Sequence, residues 1–363
     1  VSLGDLVGDQ LDFFEHVNAV NAMVGVPFYN ILGNHDIDFA SPNDEHSDET
    51  FEAVYGPPYY AFAYGKAHFL VLDDVEWTGE RYYGLLGEEQ LAFVENYLKH
   101  VPADSLIVPL MHIPLVDVED RARLLELIEP FENTFSLAAH WHRQIHFFMD
   151  EEDGWTGEEP HHHLVHATVC GSWWNGFKDP VGIPVTTMSD GAPNGYSFLT
   201  IDGTDYAVTF KAARRPADHQ MHIHRPDDIR QGTSQPHQLT VNVFAGSERS
   251  TVEYRVAGHS DWQAMNLNTQ PDPFYAAKKE AEAWLAEEFL KSRPDADPED
   301  FNINSVAGFS HHMGERLPGL RDSTHIWIAE LPTDLPVGWH QVDVRTTDMF
   351  GQTYEDLTFL RVY

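Results

Sequence analysis

A chain of 363 residues with 42% hydrophobic content holds enough material for two domains, each with its own core. Its 58 acidic residues against 22 basic ones, only seven of them Lys, leave a net charge of −36, which repels nucleic-acid backbones and anionic membrane surfaces and excludes both as general partners. No uninterrupted apolar run reaches the roughly 18 residues of a membrane-spanning helix, and the single cysteine, Cys170, excludes an internal disulfide.

In chain order, residues 1–3 and 26–32 read as short buried strands on either side of a helix over 12–24. That helix sets Phe13, Phe14, Val17, Val20 and Val24 at helical spacing and is closed by Gly25 and Pro27. Residues 37–50 are polar and acidic, a loop able to overhang a crevice. Residues 59–63 and 68–72, flanking Tyr64-Gly65-Lys66-Ala67, predict a hairpin, and 87–100 a second amphipathic helix. Residues 106–111 and 135–139 are mostly apolar and partly β-branched, as strands buried on both faces should be. His161, His162 and His163, near the acidic run 151–159, read as a solvated loop in preference to a metal site. Strands are expected at 145–149, 163–169, 196–201 and 206–211, which ends a first domain near 215. Residues 216–236, rich in Asp, His, Arg and Pro, read as a connector. From 237 to 363, alternating runs at 239–244, 251–256, 325–329 and 340–346 predict an all-β sandwich, interrupted by a helix over 273–291.

The residues that carry chemistry stand at or just past the ends of the short apolar runs: Gly4-Asp5, Gly33-Asn34-His35-Asp36, Met111-His112 and Ala139-His140-Trp141-His142. Open α/β sheets bind ligands beyond the carboxyl ends of their strands, so these loops are expected to converge on one crevice. Carboxylate, amide oxygen and imidazole are donors that suit Zn, Mn, Fe or Co. Taken singly, two of them have a plainer reading: His112 as a half-buried structural histidine, Gly33-Asn34-His35-Asp36 as a strand-ending turn.

Taken in order, the series resembles the calcineurin-like metallophosphoesterases. Cys170-Gly171-Ser172-Trp173-Trp174-Asn175-Gly176 and Met188-Ser189-Asp190-Gly191-Ala192-Pro193-Asn194-Gly195-Tyr196 resemble a bacterial subfamily that carries its own C-terminal domain, so the resemblance spans nearly the whole chain. It implies an α/β fold, the αββα sandwich of the family, whose second sheet would hold the strands from 145 to 211, followed by the all-β domain. It implies two divalent metal ions, with Asp5 bridging them, Asn34, His112 and His140 completing the second site, and His142 in the first. His35 would face the substrate, with Asp36 orienting its ring. The implied reaction is hydrolysis of a small-molecule phosphoric mono- or diester by a metal-bound hydroxide. Arg143 beside His142 would help attract phosphate. Trp173 and Trp174 would either wall a substrate pocket or pack between the domains.

Three departures from the family pattern stand out. The usual series opens with an Asp-x-His strand, which would lie upstream of Val1, so that strand is expected to be missing here. Gly8 occupies the place of a second Asp, with Asp9 next to it, and Ala139 replaces a glycine, which asks the backbone there to avoid positive φ. The subfamily is often exported, so a periplasmic or extracellular location is expected; the acid-rich composition fits a salt-adapted cytoplasm as the alternative. The competing functional reading is a weakened metal-binding protein whose β domain docks a glycan or protein partner.

Overall fold

Of the short apolar runs that precede the candidate site residues, those at 106–111 and 135–139 supply central strands of an α/β sheet. The computed structural model describes residues 1–179, 181–233, 236–292 and 317–363. These fall into two units, Val1–Trp141 with His146–His166 and Thr200–Tyr206, and His142–Ile145 with Ala167–Leu199 and Ala207–Tyr363. The chain therefore passes between units at several points, where the sequence suggested one boundary near 215.

In the first unit a six-stranded sheet runs Tyr60–Tyr64, Ala67–Val71, Leu106–Leu110, Asn133–Ala138, His161–Val165, Ile145–Met149. Leu106–Leu110 is buried at every position and pairs in parallel with a neighbour on each side. Full burial of side chains such as Ile107 and Leu110 contributes about 1.5–3 kcal/mol each. Helices Gly87–Leu98 and Arg121–Ile128 bring Leu91, Val94, Leu98, Leu124, Leu125 and Ile128 into one core with Leu70, Ile107 and Met111. Asp120, just before the second of these helices, accepts N–H bonds from Leu86 and Gly87 at 3.0 and 2.9 Å, so it also satisfies the first turn of the other helix.

Several expectations need correcting. Residues 1–3 and 26–32 are not strands. Among the backbone bonds, Ser2 N–H reaches Tyr29 O at 2.9 Å, but Pro27 has no N–H to offer a ladder, and only Ile31 and Leu32 of the second segment are buried. The first helix is shorter than expected, Phe14–Ala22 after the turn Leu11–Phe13. It buries Phe14, while Phe13, Val20 and Val24 stay exposed. The acidic loop contains a turn at Asp44–His46 and leads into a helix, Glu49–Tyr55, that buries Phe51. Strands Ile145–Met149 and His161–Val165 join the main sheet; only Gly195–Asp202 and Asp205–Ala212 form a separate two-stranded one.

The His161-His162-His163 tract is no solvated loop. It is a parallel strand, buried at all five positions. A hydrogen-bond chain explains how two imidazoles survive there. Leu115 N–H donates to His163 Nε2 at 3.1 Å, so the neutral ring carries its proton on Nδ1 and donates to Ser136 Oγ at 2.7 Å. The Ser136 hydroxyl then donates to His161 Nε2 at 2.7 Å, and His161 Nδ1 donates to Thr134 Oγ1 at 2.8 Å. Burial lowers both rings to about 3. A histidine whose folded value is depressed contributes stability that is complete above its unfolded value near 6.5. That contribution is lost as pH falls toward 3, at about 1.4 kcal/mol per pH unit per ring. Imidazole NMR should therefore show both rings as neutral Nδ1–H tautomers from pH 8 down to 5; a ring that titrates near 6.5 contradicts the assignment.

The second unit contains the expected all-β sandwich. A four-stranded sheet, Met221–His224, Gln238–Val243, Asp322–Glu330, Asn266–Pro271, faces a five-stranded one, Asp228–Ile229, Thr353–Val362, Gly338–Thr347, Thr251–Val256, Gln263–Ala264. Leu239, Val241 and Trp327 from one sheet share a core with Val252, Val342, Val344 and Leu360 from the other. The stretch read as a connector supplies strands Met221–His224 and Asp228–Ile229. The inserted helix is Pro273–Ser292. Its start has a sequence cause: Asp272 caps it by accepting Tyr275 N–H at 2.8 Å, and Pro273 occupies the first turn, where its missing N–H is harmless. Among the described residues no helix is long and apolar enough to cross a membrane.

Candidate metal centre

Two glycines let the first loops touch. Gly4 has φ 92°, and a Cβ there would lie 2.3 Å from His112 Nδ1; a Cβ on Gly33 would lie 2.3 Å from the Asp5 backbone nitrogen. Asp5 and His140 adopt φ 53° and 59°, the left-handed region that non-glycine residues enter at a cost of about 1–3 kcal/mol, usually at functional sites. Ala139 is not among the positive-φ residues, in keeping with its replacing a glycine.

Four donor atoms converge within this frame. His112 Nε2 lies 3.1 Å from Asn34 Oδ1, 3.2 Å from His140 Nδ1 and 3.3 Å from Asp5 Oδ1. The opposite nitrogen, Nδ1, is 2.7 Å from the Leu3 carbonyl, which only accepts, so Nδ1 carries a proton and in the neutral ring Nε2 presents a lone pair. In the neutral ring, a lone pair facing an amide oxygen and a carboxylate oxygen at these distances is repulsive unless a cation or a proton sits among them. This donor set fits a divalent metal, and the backbone-carbonyl partner on the far nitrogen is the usual orienting device of a metal-bound histidine. Asp5, His112 and His140 have ligand atoms within 4.8 Å of one another.

Buried carboxylates fix the supporting loops. Asp74 Oδ1 accepts N–H bonds from His112 and Ile113, both at 3.1 Å; burial pushes its carboxyl up to about 7, against those bonds. Asp36 accepts from Val7 at 3.1 Å and Gly33 at 3.0 Å, stapling the Asp5 loop to the Asn34 loop. Burial, and then the charge of Asp5, raise Asp36 to about 7. The expected role of Asp36 on the His35 ring falls to Asp9, whose Oδ1 is 2.5 Å from His35 Nδ1. Asp74 escaped sequence reasoning. The available signal was its position just past strand Ala67–Val71, at the same carboxyl end as the other ligand loops.

His142, Arg143, Trp173 and Trp174 belong to the second unit. His142, buried and at φ 51°, donates from Nδ1 to the Gly171 carbonyl at 2.8 Å, so in the neutral ring its proton sits on Nδ1. Its ring stacks on Trp173 with centroids 4.5 Å apart. Trp173 and Trp174 are 48% and 49% exposed, both with positive φ. Arg143 is half-buried.

Residues 163–354 match the family model described as the C terminal of calcineurin-like phosphoesterase. The candidate ligands lie upstream of that span. No curated protein matches the chain. Among solved structures, a purple acid phosphatase from yellow lupin (Lupinus luteus) seeds is similar at 16% identity and TM-score 0.39, over 58% of this chain and 43% of the lupin chain. A superoxide reductase (neelaredoxin) from Ignicoccus hospitalis is similar at 9% identity and TM-score 0.20, over 40% of this chain and 81% of the other.

Proposed function

Because this chain belongs to the calcineurin-like phosphoesterases, we propose that it hydrolyses phosphoric mono- or diesters of small molecules with the help of two divalent metal ions, of the Mn, Zn, Fe or Co type. The observation that carries this reading is the convergence of His112 Nε2, Asn34 Oδ1, His140 Nδ1 and Asp5 Oδ1. One ion held there, and a second to which His142 contributes its Nε2, would polarise phosphoryl oxygens and acidify water.

The chain's own residues supply the rest. Asp9 fixes the His35 ring through Nδ1, so His35 works through Nε2 on the leaving oxygen, as a general acid. Arg143 adds local positive charge to a chain whose net charge is −36, which favours small esters over polyanions. Trp173 and Trp174, half-exposed indoles in a strained backbone, offer stacking area for the organic part of the substrate.

The test is to strip the full chain with a chelator, titrate it with Mn²⁺ or Zn²⁺, and assay p-nitrophenyl phosphate and bis-p-nitrophenyl phosphate. Stripped protein should be inactive and recover as metal returns, and the ratio of the two rates reports the ester class. Absence of metal binding, or turnover unaffected by the chelator, would overturn the proposal.

A further inference from the structure

Four polar side chains of the second unit are almost completely buried: Asp190 is 1% exposed, and Asn242, Asp272 and His325 are 0%. They form one network. Asn242 Nδ2 donates to the Asp190 carbonyl and to Asp272 Oδ2, both at 2.9 Å. With its amide hydrogens so placed, Asn242 Oδ1 accepts from His325 Nδ1 at 2.8 Å, and His325 Nε2 lies 3.3 Å from Asp190 Oδ2. Asn242 and His325 stand on neighbouring sandwich strands, Gln238–Val243 and Asp322–Glu330, and Asn242 alternates with Val241 and Val243, which face the sandwich core, so its amide lies on the opposite face of the sheet.

The outlet of this network is a loop. Asp190 Oδ2 accepts the Gln144 backbone N–H at 2.7 Å, and Oδ1 accepts that of Ala192 at 3.0 Å. Gln144 Oε1 in turn takes Ala167 N–H at 2.7 Å. Gly191, at φ 86°, lets the loop lie directly on its support: a Cβ there would be 2.2 Å from Asp272 Cγ and 2.5 Å from Asn242 Nδ2. The other anchor is the Gly171 carbonyl on His142 Nδ1, and Gly171 is also obligatory, since its Cβ would meet Thr186 O at 2.0 Å. Both sequence motifs that set this chain apart, around Gly171 and around Asp190, thus hold the four residues 142–145 within the C-terminal unit.

We propose that Asp190, fixed by Asn242 and His325, is a positioning residue for His142, so that the C-terminal β sandwich is part of the metal-binding machinery. A sandwich that served only to dock a partner would have no use for a buried ionisable network ending on the backbone two residues from a candidate ligand. Buried polar groups are expensive unless fully bonded, and when bonded they specify one geometry. The proposal rests on His142 being a ligand.

The experiment compares wild type, His142→Ala, Asp190→Asn and His325→Gln as full chains, titrated with Zn²⁺ by calorimetry after metal removal. Near-ultraviolet circular dichroism verifies the fold of each. His142→Ala should weaken one ion selectively. Asp190→Asn and His325→Gln should weaken the same ion by about 10–100-fold, the range for losing an outer-shell partner, and leave the other ion unchanged. The His142 imidazole of metal-free Asp190→Asn should also lose its single Nδ1–H tautomer in ¹⁵N NMR, a change that lowered stability alone does not produce. If Asp190→Asn does not fold, His325→Gln decides by the same readings. Folded variants that bind Zn²⁺ like wild type while His142→Ala does not would overturn the positioning role and leave the ligand reading intact. Unaltered binding by His142→Ala would remove the ligand reading, and the inference with it.

Discussion

Replacing His112 by alanine should empty the Asp5, Asn34 and His140 cluster of metal and remove turnover together. The ring is 1% exposed and brings its Nε2 within 3.3 Å of three other donor atoms. Deleting it removes a direct ligand, so the loss of affinity should exceed the 10–100-fold typical of an outer-shell change. The protein should stay folded, since Asp74 binds the backbone of residues 112 and 113, which the substitution keeps. Metal content by elemental analysis, read beside the activity on p-nitrophenyl phosphate, checks this. A folded His112→Ala protein with wild-type metal stoichiometry would refute the assignment of the cluster.

The most legible parts of this site share one property: the candidate ligand follows an apolar run that forms a buried strand. Leu106–Leu110 delivers His112 and Asn133–Ala138 delivers His140, and the hydrophobic pattern of those strands is unambiguous. The helices Glu49–Tyr55 and Arg121–Ile128, at seven and eight residues, are too short for a periodic signal to stand out among their charges. The tract 161–163 reads as a loop because three consecutive imidazoles look polar; what makes it part of a core strand is Ser136, Thr134 and Leu115 N–H, partners that lie far off in sequence. The same holds for Asp190, Asn242 and His325, separated by as many as 135 residues. The Asp36 and Asp9 exchange is subtler. Adjacency to His35 suggested Asp36, yet consecutive side chains in a turn diverge, and the carboxylate that meets the ring comes from the loop after Asp5. Pattern reveals which faces are buried, whereas polar pairing across the fold depends on tertiary approach.

His35 should behave unlike any ligand. Its backbone N–H donates to Asp5 Oδ1 at 3.0 Å, a contact that alanine preserves, while its ring is turned toward Asp9 and remains 20% exposed. A His35→Ala variant should therefore keep its metals and its fold, and lose rate by about 10²- to 10⁴-fold, the range for a positioned general acid or base. The size of the loss should depend on the ester. A nitrophenolate leaves without help, so little is lost there; an alkoxide needs the proton, so alkyl phosphates should suffer most. Asp9→Asn keeps the ring and a weaker partner for Nδ1, and should show the same ester dependence at a fraction of the loss. Steady-state rates on a leaving-group series, with metal content measured on the same samples, separate the roles: equal losses on nitrophenyl and alkyl esters would exclude leaving-group protonation, and a fall in bound metal would make His35 a ligand after all.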